Sequence, residues 1–154
     1  MHSILHGSLA LPAYAERSYL AAKAYLSRDR GDRHLFSRLE HDPERTFHLR
    51  INLRDDDHFD PNTDTIAWDP HSALRTTLGG RQSPALGLAH EIDHAVESPA
   101  AYDRLSDRID PRYDTAEERR VIRGSECAAA RALHENARYD HAGRCYRVAS
   151  PTAR

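Results

Sequence analysis

The sequence predicts a single α+β domain, on three observations. Its 154 residues suit one hydrophobic core. Residues 11–28 and 84–97 repeat apolar side chains at the three-to-four spacing of amphipathic helices. Between them, residues 47–53 alternate with the period of two expected of a half-buried strand. No internal repeat, low-complexity run or linker divides the chain.

Taken in order, Leu11, Tyr14, Tyr19, Ala22 and Leu26 lie on one helical face, with Pro12 near the first turn. Gly31 and Asp32 should break this helix, with a shorter helical piece following to Leu39. Phe47, Leu49, Ile51 and Leu53 alternate with His48, Arg50 and Asn52. The acidic stretch 55–64 reads as a loop, after which Ile66 and Trp68 alternate again. A second strand over 65–69 is therefore expected to pair back on the first as a hairpin. Ser83 and Pro84 suit the N-cap and first position of the next helix. Residues 98–114 form a polar connection with no clear period, the kind of segment that often borders a functional cleft. Thr115 and Glu118 make a capping box for a short helix. Gly124 should end it, and Ser125 should cap a last helix through Leu133.

Composition narrows the function. With 24 acidic and 22 basic residues, the formal charge of -2 offers no field for gripping a phosphate backbone, so nucleic acid is not expected as a partner. No apolar run approaches the ~18 residues of a spanning helix, and no leader of the usual export type opens the chain. No membrane association is expected. Lys23 is the single lysine among the 22 bases. Either GC-rich codon usage or selection against ubiquitin acceptors accounts for that bias. Two cysteines, Cys127 and Cys145, are too few for a disulfide framework and read as reduced thiols.

The chemistry lies in His90-Glu91-Ile92-Asp93-His94. Histidines four apart on a helix project from one face and can reach the same tetrahedral Zn²⁺. The intervening glutamate can take a proton from the attacking water and pass it to a leaving amine. This H-E-x-x-H pattern is that of zinc metallopeptidases, although a buried pair of structural histidines would leave the same trace. No histidine follows at the metzincin spacing, because Glu97 and Ala100 stand at those positions. The third ligand is therefore expected to be a downstream carboxylate. Glu126 is the first choice and Glu118 the second, and the other is left to hold a histidine tautomer. Asp93 should point to solvent or an ion pair. Arg138, Tyr139 and His141 are the donors by type for a developing oxyanion. The strand over 65–69 is the natural edge to hold an extended substrate, and Trp68 is either a core anchor or a cleft wall.

Residues 65–71 (T-I-A-W-D-P-H), Gly79-Gly80 and residues 83–91 (S-P-A-L-G-L-A-H-E) resemble the NleD/XopG-type metallopeptidases, zinc effectors that bacterial pathogens inject by type III secretion. Glu117-Glu118, Val121-Ile122, Gly124, Glu126 and the Arg138 to His141 region extend the likeness, which spans residues 46–151. It implies a compact, zincin-like (gluzincin-like) domain in which a small sheet or hairpin packs on the active-site helix. It also implies Zn²⁺ held by His90, His94 and Glu126, with Glu91 as the catalytic glutamate and Arg138 and His141 as candidate helpers. The expected activity is endoproteolysis of host signalling proteins, such as mitogen-activated protein kinases, in the host cytoplasm after secretion. The expected state is a monomer. A short helical N-terminal part replaces the long Ser-rich leader of such effectors, so a brief secretion signal or trimming is expected. Two other functions compete: a catalytically idle zinc module that sequesters a host protein, and a toxin peptidase against bacterial competitors. The presence of Glu91 favours turnover, since an idle module has no use for the base.

Overall fold

The computed structural model describes residues 2–154, and the chain folds as the expected α+β domain around a mixed sheet. The N-terminal region departs from the periodicity reading. Strands β1 (Ser3–His6) and β2 (Leu9–Pro12) form an antiparallel hairpin, and α1 begins only at Glu16 (Glu16–Leu26) after a 3₁₀ turn over Ala13–Ala15. Leu9 and Leu11 are buried at alternate positions of β2. Leu11 satisfies both the strand and helix periods, so its spacing to Tyr14 could not distinguish them.

Gly31 and Asp32 do not interrupt a helix but open one, α2 (Arg30–Glu40). Asp29 caps it by accepting the Asp32 amide at 2.9 Å. Helices α1 and α2 together make the crossover from β2 to β3 (Phe47–Ile51), which run parallel.

The expected hairpin between residues 47–53 and 65–69 is not formed. An additional strand, β4 (His58–Asp60), lies inside the predicted loop and pairs antiparallel with β5 (Thr65–Trp68). The turn between them is tight. Asp60 accepts the Asn62 amide at 2.9 Å, and Asp64 adopts a left-handed φ of 49°. That reversal makes β5 parallel to β3, and the sheet order becomes β1-β2-β3-β5-β4. The strand over 65–69 is thus internal, and β4 is the edge strand beside it.

A second sheet, β10-β6-β7, is built from β6 (Ser72–Arg75), β7 (Arg81–Gln82) and the late β10 (Arg144–Arg147). The helix α3 (Pro84–Val96) follows β7 directly and starts as read: Ser83 Oγ accepts the Leu86 amide, and Pro84 occupies the first turn. The polar connection 98–114 contains a further helix, α4 (Pro99–Ser106), opened by the same Ser-Pro device. Ser98 caps Ala101, and β8 (Ile109–Asp110) and β9 (Asp114–Thr115) then form a short hairpin. The last helices, α5 (Ala116–Val121) and α6 (Cys127–Ala132), are joined by a π turn over Ile122–Glu126 that kinks at Gly124, whose φ of -97° and ψ of -106° are not helical, so the break falls at the glycine as read. Ser125 consequently donates to Asp93 instead of capping α6. Among the described residues no helix is long and apolar enough to cross a membrane.

Every residue of α3 except Gly87 is buried. Leu88, Ala89, Ile92, Ala95 and Val96 join the core with Tyr19, Leu26, Leu39, Phe47 and Ile66. Trp68 settles as the anchor beneath this helix. It is fully buried, and its indole donates to the Pro84 carbonyl at 2.9 Å. The helix is thereby fixed at its N-terminus, while its polar face turns towards α5 and the π turn.

Candidate metal centre

Positions 90 and 94 lie one turn apart on α3, and both imidazoles lean towards the same point, with ring centroids 4.7 Å apart. Their Nε2 atoms are 3.0 Å from each other. Glu118, carried by α5, closes the triangle: its Oε2 lies 2.8 Å from His90 Nε2 and its Oε1 3.1 Å from His94 Nε2. Of the capping box predicted for Thr115 and Glu118, half is made. Thr115 accepts the Glu118 amide at 3.1 Å, while the Glu118 carboxylate turns instead to the histidines.

The partners of the outer ring nitrogens decide what this triangle can hold. His90 Nδ1 donates to Glu126 Oε1 at 2.8 Å, and His94 Nδ1 donates to Glu117 Oε2 at 2.7 Å. A carboxylate can only accept, so each imidazole keeps its Nδ1 proton outwards, while its Nε2 either donates a proton to Glu118 or, once deprotonated, offers a lone pair to a cation. Two such lone pairs and a carboxylate facing one another are mutually repulsive unless a cation or extra protons lie between them. Ligands of a tetrahedral zinc at ordinary bond lengths sit about 3.3 Å apart, close to the observed spacing. His90, His94 and Glu118 therefore fit a divalent metal, with their donor atoms all within 4.8 Å of one another.

The same electrostatics shows in the proton affinities without a metal. Burial alone would favour neutral histidines, but the surrounding carboxylates outweigh it. Glu118 and Glu126 raise His90 to about 10, and Glu117 and Glu118 raise His94 to about 9. Protons take the position that a metal would fill. Glu118 is held well below the usual carboxylate range, its burial overcome by the two histidines.

Each histidine has its own carboxylate–arginine clamp. Arg138 Nε and Nη2 both reach Glu126 at 2.9 Å, and this fork helps hold the buried carboxylate down to about 2 against the effect of burial. On the other side, Arg120 Nε and Nη2 reach Glu117 at 2.9 and 2.8 Å, and its Nη1 reaches Asp93 at 2.8 Å. Asp93 is thus in an ion pair, as its helical phase suggests.

Glu91 lies beside the triangle, its Oε1 3.9 Å from His90 Nε2, and it lines a cleft of about 260 Å³ together with His90, Glu126, Arg138 and His141. Asp55 and Asp57 line it as well. Asp57 accepts the Asp69 amide at 2.7 Å, and its other oxygen leans over Gly87, where a Cβ would come within 2.9 Å of it. Burial, with Glu91 and Asp69 nearby, pushes the Asp57 carboxyl well above its ordinary value.

The structure therefore brings His90, Glu91 and His94 together as expected but exchanges the two glutamates. Glu118 faces both Nε2 atoms, and Glu126 sits behind His90. The reason is the π turn, which carries Glu126 past the triangle to the Nδ1 side. Arg138, read as an oxyanion donor, places Nε and Nη2 on Glu126 and lines the cleft. His141 is at the cleft, its Nε2 3.5 Å from Glu118 Oε2. Tyr139 lies outside the cleft lining and is exposed. Sequence reading missed Asp57, which sits in a segment without periodicity. It also left Glu117 and Arg120 without roles, although their three-residue spacing on a capped helix marks them as a pair. No protein-family model, curated protein or solved structure matches this chain.

Proposed function

We propose that this chain is a zinc-dependent endopeptidase with a zincin-like fold. The observation that carries the reading is the convergence of both Nε2 atoms and the Glu118 carboxylate beside Glu91, at the wall of an open cleft. His90, His94 and Glu118 hold the ion, and Glu126 and Glu117 fix the histidine tautomers. Zinc, when bound, supplies a water activated near neutral pH and polarises the scissile carbonyl.

The remaining work falls to the chain itself. Glu91 Oε1 accepts a proton from the attacking water and returns it to the nitrogen of the leaving amine. His141, half-exposed at the cleft and adjacent to Glu118, is the donor positioned to steady the developing oxyanion. Strand β4, the sheet edge packed near α3, offers backbone groups to an extended substrate, the role the sequence reading gave to β5. The resemblance of residues 65–71 and 83–91 to injected effector peptidases supports a host cytoplasm as the site of action and host signalling proteins, mitogen-activated protein kinases among them, as substrates.

The test pairs elemental analysis with cleavage of candidate kinases. Wild-type protein is expected to carry about one zinc per chain and to cleave. Glu91→Ala should keep the zinc and lose at least about a hundredfold in rate. Normal cleavage by that variant, or absence of zinc from the wild type, would overturn the assignment.

A further inference from the structure

Three arginines stand in one row across the small sheet. Arg144 of β10 lies directly opposite Arg75 of β6, and Arg75 lies opposite Arg81 of β7. Directly opposed residues project from the same face with Cβ atoms about 5 Å apart. All three side chains are exposed. No ion pair forms at Arg75, Arg81 or Arg144 among the described residues, as at most of the chain's exposed arginines; what sets these three apart is their alignment. Like charges set opposite one another destabilise a sheet, so the row works against the fold unless an anion joins it.

The surroundings suit such an anion. The row lines a hollow of about 400 Å³ with Cys145 and Tyr146, and the Tyr146 hydroxyl is buried without a partner. Gly143 and Cys145, which flank Arg144, also line the cleft at Glu91. Leu74, Gln82 and Cys145, one residue along each strand, face the cleft, so the arginines lie on the other face of this sheet and a chain leaving the cleft reaches them by passing over β10, its edge strand. The outer two stand two strand spacings apart, about 10 Å, which four extended residues span. A patch this short on a chain of net charge -2 fits a few carboxylates better than a nucleic-acid backbone.

We propose that Arg75, Arg81 and Arg144 dock an acidic segment of the polypeptide whose adjoining residues occupy the cleft, an inference that rests on the peptidase reading for its partner. Guanidinium forks accept carboxylates in pairs, which selects aspartate- or glutamate-rich segments.

The experiment measures fluorescence anisotropy of dye-labelled hexaglutamate and hexaglutamine on the full chain carrying Glu91→Ala, so that turnover plays no part. Hexaglutamate should bind at least about tenfold more tightly than hexaglutamine and weaken as salt is raised. Combined Arg75→Gln, Arg81→Gln and Arg144→Gln should erase the preference. Should the triple variant not fold, Arg75→Gln alone, at the centre of the row, should remove most of the preference and raise the melting temperature. Equal binding of the two peptides, an unchanged preference in the variants, or tighter binding of phosphatidylserine vesicles or oligothymidylate would overturn the proposal. Failure of the wild type to hydrolyse protein would sink the peptidase reading separately and leave the anisotropy result intact.

Discussion

His90 gives its Nδ1 proton to Glu126 across 2.8 Å, and that contact determines which nitrogen faces the centre. Glu126 is itself gripped by both arms of Arg138, and the three groups are nearly excluded from water. The chain therefore places an anion where it sharpens the basicity of His90 without competing for the metal position. Glu117 and Arg120 repeat the arrangement behind His94.

This arrangement separates the two glutamates experimentally. Glu118→Ala should abolish tight zinc binding while leaving a folded domain. Glu126→Ala should weaken zinc binding by about 10- to 100-fold. It should also lower stability by about 3 kcal/mol, because Arg138 would be left buried without its counter-charge. Titration with a zinc indicator, alongside denaturant unfolding of the metal-free proteins, tells the two apart. The reverse ranking would restore Glu126 as ligand.

The pH response should change sign with the metal. Without it, His90 and His94 hold protons up to about 10 and 9, above the ordinary 6.5. Their contribution to stability is full below about pH 6.5 and lost as pH rises through those values. With zinc present the imidazoles must be neutral, so the stabilisation due to the ion grows as pH rises from acid to neutral. Thermal melts across pH 6 to 10, with and without chelator, should diverge at the alkaline end. Parallel curves would count against a metal between the two rings.

Asp32 is an unrelated weak point. It is fully buried in the first turn of α2, and neither carboxylate oxygen has a partner. Burial first, then the neighbouring Asp29, Asp93 and Glu135, pushes it up to about 8. Because the unfolded chain releases this proton near pH 4, the wild type loses stability steadily as pH climbs from about 4 to 8. Asp32→Asn should be about 1–3 kcal/mol more stable than wild type at pH 8. The difference should vanish near pH 4. A variant no more stable at pH 8 would show that water reaches this carboxyl.

Trp68 ties the sheet to the start of α3, the helix that carries His90 and His94. Trp68→Phe removes the indole bond to Pro84 and part of a fully buried ring. It should lower stability by about 1–3 kcal/mol and loosen α3 at its N-terminus. Amide hydrogen exchange over residues 84–90 reads the local effect, and unchanged protection there would deny Trp68 its anchoring role.

The strongly periodic segments were legible from residues alone. Alternation fixed Phe47–Ile51, the Ser83-Pro84 pair fixed the start of α3, and four-residue spacing placed His90 and His94 on one face with Glu91 between. The N-terminal hairpin was not legible, because Leu9 and Leu11 fit two periods at once. Nor was the parallel pairing of β3 and β5, which depends on a turn at Asp60 to Asp64 within a polar stretch.

Neighbours within a single helix are related by fixed geometry, so local spacing alone could declare two imidazoles and a glutamate in reach of one ion. Which distant carboxylate would meet them depended on how α5 and α6 are phased. The kink at Gly124 sets that phase; the glycine marks the break in the sequence but not the direction in which the chain resumes. Glu118 at the centre, Glu126 behind His90, and three arginines aligned by strand register are all products of packing between segments far apart in the chain.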